Sequence, residues 1–299
     1  MQIIKPSCSL VEIANPFKLC ERVGRVCYKS EDRITEDSYK TFIINILNRG
    51  HYSVLEHANF LFAWHGNMPV RFLMALDKPG IYIHRLNQYS FRISMNLRNA
   101  IELAEKSLIF DFIRMIRDTY DFPIEFNLEK LASSTDLPVG SRIDLIQKPD
   151  FDEDFTFETV EFQIARGIWD ELARHRENSC ACESSRYCMY SKDKFNGEIK
   201  FNEPVWYKEA DWLTKWQWRS CLKSAEKNYM KFLAKGYKPQ FARGLLPLDY
   251  SVNCIVTANL TQWKHIFELR TSQAAHPDMQ FIMKQVRELM KRKHPSWDC

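Results

Sequence analysis

The sequence predicts a mixed α/β chain of the α+β kind, and three observations predict it. Short runs alternate apolar and polar residues, as in "ANFLFAW", the period of a strand. Longer runs repeat apolar residues every three or four positions, as in "PFKLCERVGRVCY", the period of a helix. Hydrophobic residues make up 45% of the 299, enough to close a sizeable core in a single domain over 1–299.

The elements follow in order. "MQIIK" and "CSLVEI" read as strands, and Pro16–Tyr28 as a helix. Residues 35–48 form a second amphipathic helix, stopped by Gly50 as its C-terminal cap. After the strand "ANFLFAW", residues 68–76 are helical, with Pro69 near the first turn. "YSFRISMNLRNA" and "NCIVTANLTQWK" both run from strand into helix through Asn-Leu, with Asn96 and Asn259 as N-caps. A match this short is a common strand-to-helix turn rather than a repeat.

Residues 100–121 are helical in pattern, and "SSTDLPVGSRIDLIQKPDFDEDF" is turn-rich, the best linker or loop. In "FTFETVEFQIARGIWDELARHR", Phe155 and Phe157 alternate, then Phe162, Ala165, Ile168, Trp169 and Leu172 take helical spacing. A long helix ends at Gly236, "QFARGLLPLD" is interrupted by Pro247, and two closing helices divide around Pro277.

A formal charge of +4, from 42 basic and 38 acidic side chains, is far from that of a dedicated nucleic-acid binder. Nine irregularly spaced cysteines and the lack of a secretory leader indicate reduced thiols in the cytoplasm. No apolar run is long enough to span a bilayer, so no membrane partner is expected.

The chemistry concentrates in "ELARHRENSCACESSRYCMYSK". Arg forks, Ser hydroxyls and loop N–H groups together make an anion cradle, so Arg174, Arg176, Ser184 and Arg186 suit a small anion. The competing reading pairs these arginines with Glu171, Glu177 and Glu183 on a solvated surface. Cys180, Cys182, Cys188 and His175 lack the spacing of structural zinc, and no metal is expected. Neighbouring arginines could activate a thiol, but intracellular cysteines are more often buried filler. His51, Glu56 and His57 form an acid/base constellation or a satisfied corner, and His276 a helix cap. Trp206, Trp212, Trp216 and Trp218 are spaced for packing in the core rather than for base stacking.

Four ordered segments resemble the flavin-dependent thymidylate synthases. Arg174-His175-Arg176, "ENSCACE" and Ser184 match the signature Arg-His-Arg, seven residues, then Ser, and "SSRYCMYSKDKF" continues it. "GHYSVLEHANFLF" is similar to the upstream Gly-His-x-Ser-x-x-Glu-His segment, and "ARGLLPLD" and "TANLTQWKHIFELRTSQAAHPDM" to the two downstream segments. The region 77–154 matches poorly and looks like an insertion.

The resemblance implies an antiparallel sheet packed with helices, in a homotetramer that binds flavin and nucleotide where subunits meet. It implies transfer of a one-carbon unit from methylenetetrahydrofolate to C5 of dUMP, with NADPH-reduced FAD as hydride source. Glu171, Arg174, Cys182, Glu183, Ser184, Arg186, Arg243 and Arg270 stand at the dUMP positions. Ser53, Arg174, His175, Arg176, Cys182, Asn259 and His265 stand at the FAD positions. Arg270, His51 and Ser184 are the catalytic candidates, Arg270 as the cation that stabilises charge on the uracil edge. Cys182 replaces a usual Gln, and Thr261 replaces an Arg common in the flavin segment. A flavin and folate enzyme with another C5 product, such as a hydroxymethyl group, and a nucleic-acid-binding protein are the alternatives.

Overall fold

The computed structural model describes residues 1–105, 110–120, 137–147, 150–191 and 197–299. The strands are β1 (Gln2–Ile4), β2 (Ser7–Leu10), β3 (Asn59–His65), β4 (Ile81–Asn87), β5 (Ser90–Asn96), β6 (Arg142–Ile146), β7 (Phe157–Ala165), β8 (Ser179–Cys182), β9 (Lys200–Asn202) and β10 (Ser251–Asn259). The helices are α1 (Pro16–Tyr28), α2 (Ser38–Asn48), α3 (Val70–Leu76), α4 (Leu97–Glu105), α5 (Asp111–Tyr120), α6 (Arg166–Leu172), α7 (Trp212–Ala234), α8 (Pro239–Ala242), α9 (Leu260–Arg270) and α10 (Pro277–Lys293).

Two four-stranded sheets, both antiparallel, organise them. One has the order β2-β7-β10-β8, the other β4-β5-β3-β6, and β1 pairs parallel with β9 apart from both. In the first sheet β10 and β7 pair along nine residues, from Ser251↔Ala165 to Asn259↔Phe157. Both faces of β10 are covered: Ile255 joins a core with α1, α2 and the second sheet, while Cys254, Val256 and Ala258 join a core with α9 and α10. A strand buried on both faces reads as a continuous apolar run, which is why "CIVTA" shows little alternation.

Local chemistry accounts for most ends. Asn15 Oδ1 accepts from the N–H groups of Phe17 and Lys18 to open α1, with Pro16 in the first turn. Gly50, at φ +67°, closes α2, and the His51 N–H returns to the Ile46 carbonyl. Asn96 and Asn259 cap α4 and α9 through the N–H groups of Asn99 and Gln262.

Four expectations are corrected. The second helix begins at Ser38, because the Ser38 hydroxyl accepts from the Thr35 N–H and holds that segment as a turn. The pattern over 100–121 contains two helices, α4 and α5, with 106–109 outside the described residues. The turn-rich segment contains β6, an edge strand on β3. Strand β7 continues to Ala165: Phe162 and Ala165 belong to it and not to the helix, since a doubly covered strand also places apolar residues at intervals of three.

The tryptophans depart furthest. Trp212 and Trp216 are 77% and 60% exposed on α7, and Trp206 is 43% exposed, so they are surface residues and not core. Long helices can carry apolar residues outward when a short stripe suffices for docking; in α7 only Leu222 and Tyr229 are buried. Among the described residues no helix is long and apolar enough to cross a membrane.

Candidate active site

Strand β7 runs straight into α6, whose seven residues end at Leu172 and leave Arg174, His175 and Arg176 at the turn before β8. Helix α9, started by the Asn259 cap, brings Arg270 back to the same place. The Arg270 guanidinium donates through Nε to His175 Nε2 at 2.9 Å, through Nη1 to Glu171 Oε2 at 3.2 Å, and through Nη2 to the Glu171 carbonyl at 2.8 Å. The His175 and His265 rings meet edge to face at 6.0 Å. Burial, with Arg270 and His265 adding to it, lowers the pKa of His175 to about 4, so the ring is neutral at pH 7 and Nε2 is the acceptor.

Arg174, His175, Arg176, Thr261, His265 and Arg270 line one open cleft of about 890 Å³. The three carboxylates that could have neutralised the arginines are engaged elsewhere. Glu171 holds Arg270; Glu177 accepts from Gln262 Nε2 at 2.7 Å. Glu183 is 3% exposed, takes the Tyr190 hydroxyl at 2.8 Å and lies 3.5 Å from Lys29. Arg174 and Arg176 are exposed, and no carboxylate pairs with either among the described residues. The reading of a self-neutralised surface therefore fails here. Gln262 was not a candidate from sequence, because its role of holding Glu177 depends on α9 crossing the loop.

A second group lies at the other end of β8. Pairing of Ser179 with Thr257 and of Cys182 with Cys254 sets β8 antiparallel to β10, so the chain moves roughly 10 Å along the sheet before it reaches Ser184. There Ser184 N–H donates to the Cys27 carbonyl, Arg243 Nη1 donates to Ser185 Oγ at 3.4 Å, and exposed Arg186 lies over Tyr187. None of Cys182, Ser184, Arg186 or Arg243 lines the cleft of Arg270.

Other candidates take different positions. Asn259, expected at a flavin position, is 1% exposed; it caps α9 through the Gln262 N–H and donates to the Asp154 carbonyl. Glu183, expected at a dUMP position, is enclosed beside Tyr190 and Lys29. His51 and Ser53 are exposed at the 3-10 turn of Tyr52–His57, outside that cleft. Glu56 pairs with Arg98 at 2.6 Å. His57 is buried, shares a hydrogen bond with the Thr257 hydroxyl at 2.8 Å, and is held neutral by desolvation with a pKa of about 3. Burial pushes the Cys180 thiol up to about 12 and the Cys182 thiol above its ordinary range, the opposite of an activated nucleophile. His276 caps α10, as read. Thr261 donates to Asp154 Oδ1 at 2.5 Å, which holds a carboxylate at the start of α9.

Comparison with known proteins adds to this geometry. The family model described as thymidylate synthase complementing protein matches residues 9–96 and 153–296. A flavin-dependent thymidylate synthase of Pyrococcus abyssi (strain GE5 / Orsay) is 30% identical over 124 residues, covering 41% of this chain and 50% of that protein. A probable flavin-dependent thymidylate synthase of Paramecium bursaria Chlorella virus 1 is 26% identical over 148 residues, covering 47% and 68%. The matched part of the chain thus spans from half to about two thirds of these relatives. Among solved structures, thymidylate synthase X from Helicobacter pylori with FAD and dUMP is similar over 46% of this chain and 69% of that one, at 19% identity and a TM-score of 0.37. The UMP/dUMP methylase PolB from Streptomyces cacaoi bound with 5-Br dUMP covers 98% and 93%, at 13% identity and a TM-score of 0.43.

Proposed function

This chain belongs to the thymidylate synthase complementing protein family, and from that premise we propose that it is a flavin-dependent thymidylate synthase. It methylates dUMP at C5 to dTMP, with methylenetetrahydrofolate as carbon donor and NADPH-reduced FAD as hydride source. The observation that carries the reading is the pair of exposed guanidiniums without carboxylate partners, Arg174 and Arg176, beside a neutral His175 on the Arg270 cleft.

The donor set fits FAD. Arg174 and Arg176 supply charge-assisted hydrogen bonds to its diphosphate, and His175 and His265 an aromatic wall. When bound, FAD supplies the two-electron redox chemistry. Arg270 binds the uracil edge: three of its N–H groups are engaged, and a guanidinium carries five, so two remain to donate to the O4 carbonyl. A cation fixed there stabilises negative charge on that edge and makes C5 more nucleophilic. The Glu171 and His175 contacts orient it.

Ser184, Arg186 and Arg243 hold the phosphate of dUMP. Because they sit at the far end of β8, the site is completed between subunits of a homotetramer, the Arg270 group of one facing the Ser184 group of another. The nine cysteines, none of them in a disulfide, agree with work in a reducing cytoplasm.

The test is the visible spectrum of the purified protein, followed by anaerobic NADPH with and without dUMP, and the mass of the product. A yellow protein whose flavin bleaches and which yields dTMP supports the reading. A colourless protein that takes up no FAD overturns it, and a hydroxymethyl product replaces methylation by the related C5 reaction.

A further inference from the structure

Helix α7 turns to solvent a face that the proposed reaction does not use. From Lys215 onward the sequence places Lys or Arg at every fourth position, through Arg219, Lys223, Lys227, Lys231 and Lys235. Four residues advance about 6 Å along a helix and about 40° around it, so this row is a slowly turning ridge. Arg219, Lys223, Lys227 and Lys231 fall within about 120° of arc, and Trp212 and Trp216 fall inside the same arc. All six are exposed. The buried pair of α7, Leu222 and Tyr229, lies about 130° from the middle of that arc.

Nothing described in the chain neutralises the ridge. Glu226, the one acid of α7, is spent on the N-terminal ammonium at 2.9 Å and on the Ile199 N–H at 2.9 Å. Among the described residues no carboxylate pairs with Arg219, Lys223, Lys227 or Lys231. The root of the ridge is held in place: Lys215 and Arg219 lie over the Tyr207 ring at 5.3 and 5.5 Å. Tyr207 packs in turn on Trp218, whose indole donates to Asp249 Oδ2 at 3.0 Å.

Charge and shape choose the occupant. Unpaired cations at regular steps attract an extended polyanion. Exposed indoles among them offer flat faces on which bases stack, whereas the bases of a duplex are hidden in their own stack. A second copy of the chain fits badly, because a two-fold contact would set the ridge against itself, cation to cation. A helix lying on a membrane separates its apolar side chains from its cations; here Arg219, Ser220 and Lys223 stand beside Trp216 on one face. The modest overall charge of +4 does not oppose this, since a strand on α7 responds to the charges within a Debye length of it.

We propose that α7 is a docking face for single-stranded nucleic acid, with phosphates on Arg219, Lys223, Lys227 and Lys231 and bases on Trp212 and Trp216. No residue of α7 lines the Arg270 cleft, and the proposal does not rest on the flavin reading. The experiment titrates the full-length protein into fluorescein-labelled oligothymidylate, with and without excess dUMP. Anisotropy is followed across a salt series, with quenching of indole fluorescence as the second signal.

Saturable binding is expected, with log K falling against log salt at a slope of about −3, from four phosphates at about 0.7 each. Lys223→Glu combined with Lys227→Glu weakens binding by at least about tenfold and roughly halves the slope. Trp212→Ala and Trp216→Ala each weaken it by about fivefold or more and reduce the quenching. Tm and mass in solution stay at the wild-type values in every variant. Absence of saturable binding, a slope near zero, or unchanged affinity in these variants overturns the proposal. So does equal competition by polyglutamate, which would make the ridge a general attractor of polyanions, or loss of binding with dUMP, which would put the strand in the nucleotide site. Two more outcomes overturn it: quenching by phosphatidylglycerol vesicles but not by oligothymidylate, which assigns the face to a membrane, and a lower mass in solution for Trp216→Ala, which assigns it to a subunit interface.

Discussion

The Arg270 guanidinium donates to Nε2 of His175 across 2.9 Å, joining the end of α9 to the Arg-His-Arg turn. The contact requires a neutral ring, and the cation in turn disfavours protonation of that ring. Arg270→Ala should therefore raise the pKa of His175, read by imidazole NMR. It should also lower turnover by about 10²–10³, the cost of one preorganised charge at a developing anion, with FAD still bound. Turnover near that of wild type would remove Arg270 from the chemistry.

Division of the residues proposed to hold dUMP between the two ends of β8 makes a prediction about mixtures. Arg270→Ala and Arg186→Ala chains should each be strongly impaired alone. Co-refolded in equal amounts, they should regain about a quarter of wild-type activity, because random mixing leaves that share of shared sites with both arginines intact. No recovery in mixed tetramers would place both groups on one subunit's site.

His57 sets an acid limit to stability. Its folded pKa is lowered from 6.5 to about 3, so the unfolded chain binds the extra proton between those values. Stability supplied by the neutral ring is complete above pH 6.5 and is lost as pH falls towards 3, with a slope approaching about 1.4 kcal/mol per pH unit. Urea unfolding at pH 7.5, 6.5 and 5.5 should show this slope in wild type and a flatter one in His57→Gln. Equal slopes would exclude His57 as its source.

The thiols should be dispensable. Replacing Cys180, Cys182 and Cys188 together by Ser is expected to leave turnover measurable, because burial suppresses the Cys180 and Cys182 thiolates. Complete loss in a folded, FAD-binding variant would argue for a thiol step.

At the start of α1, Asn15→Ala removes the acceptor for two N–H groups. The expected cost is about 1 kcal/mol, measured as a lower urea midpoint with an unchanged m-value.

What sequence makes legible here is chemistry that acts on near neighbours. Asn15, Asn96, Asn259 and Gly50 cap helices through contacts within a few residues, so those ends could be read directly. The fates of Glu171, Glu177 and Glu183 could not. Each is decided by a partner that only the fold brings near: Arg270, Gln262, and Tyr190 with Lys29. Those long-range pairings separate an available cation from a neutralised one, so the motif supplied candidates and the fold selected among them. Trp212 and Trp216 failed for a related reason, since helical spacing defines a stripe without saying whether anything packs on it.

The parallel pair β1 and β9 joins residues 2–4 to residues 200–202, and β2 waits for β7 at residues 160–163. A ribosome adding 5–20 residues per second needs roughly 10–40 s to make that span. For that interval the first ten residues emerge without their strand partners. The nascent chain thus carries two unpaired strand edges through most of its own synthesis, and early chaperone occupancy of this terminus would follow from topology alone.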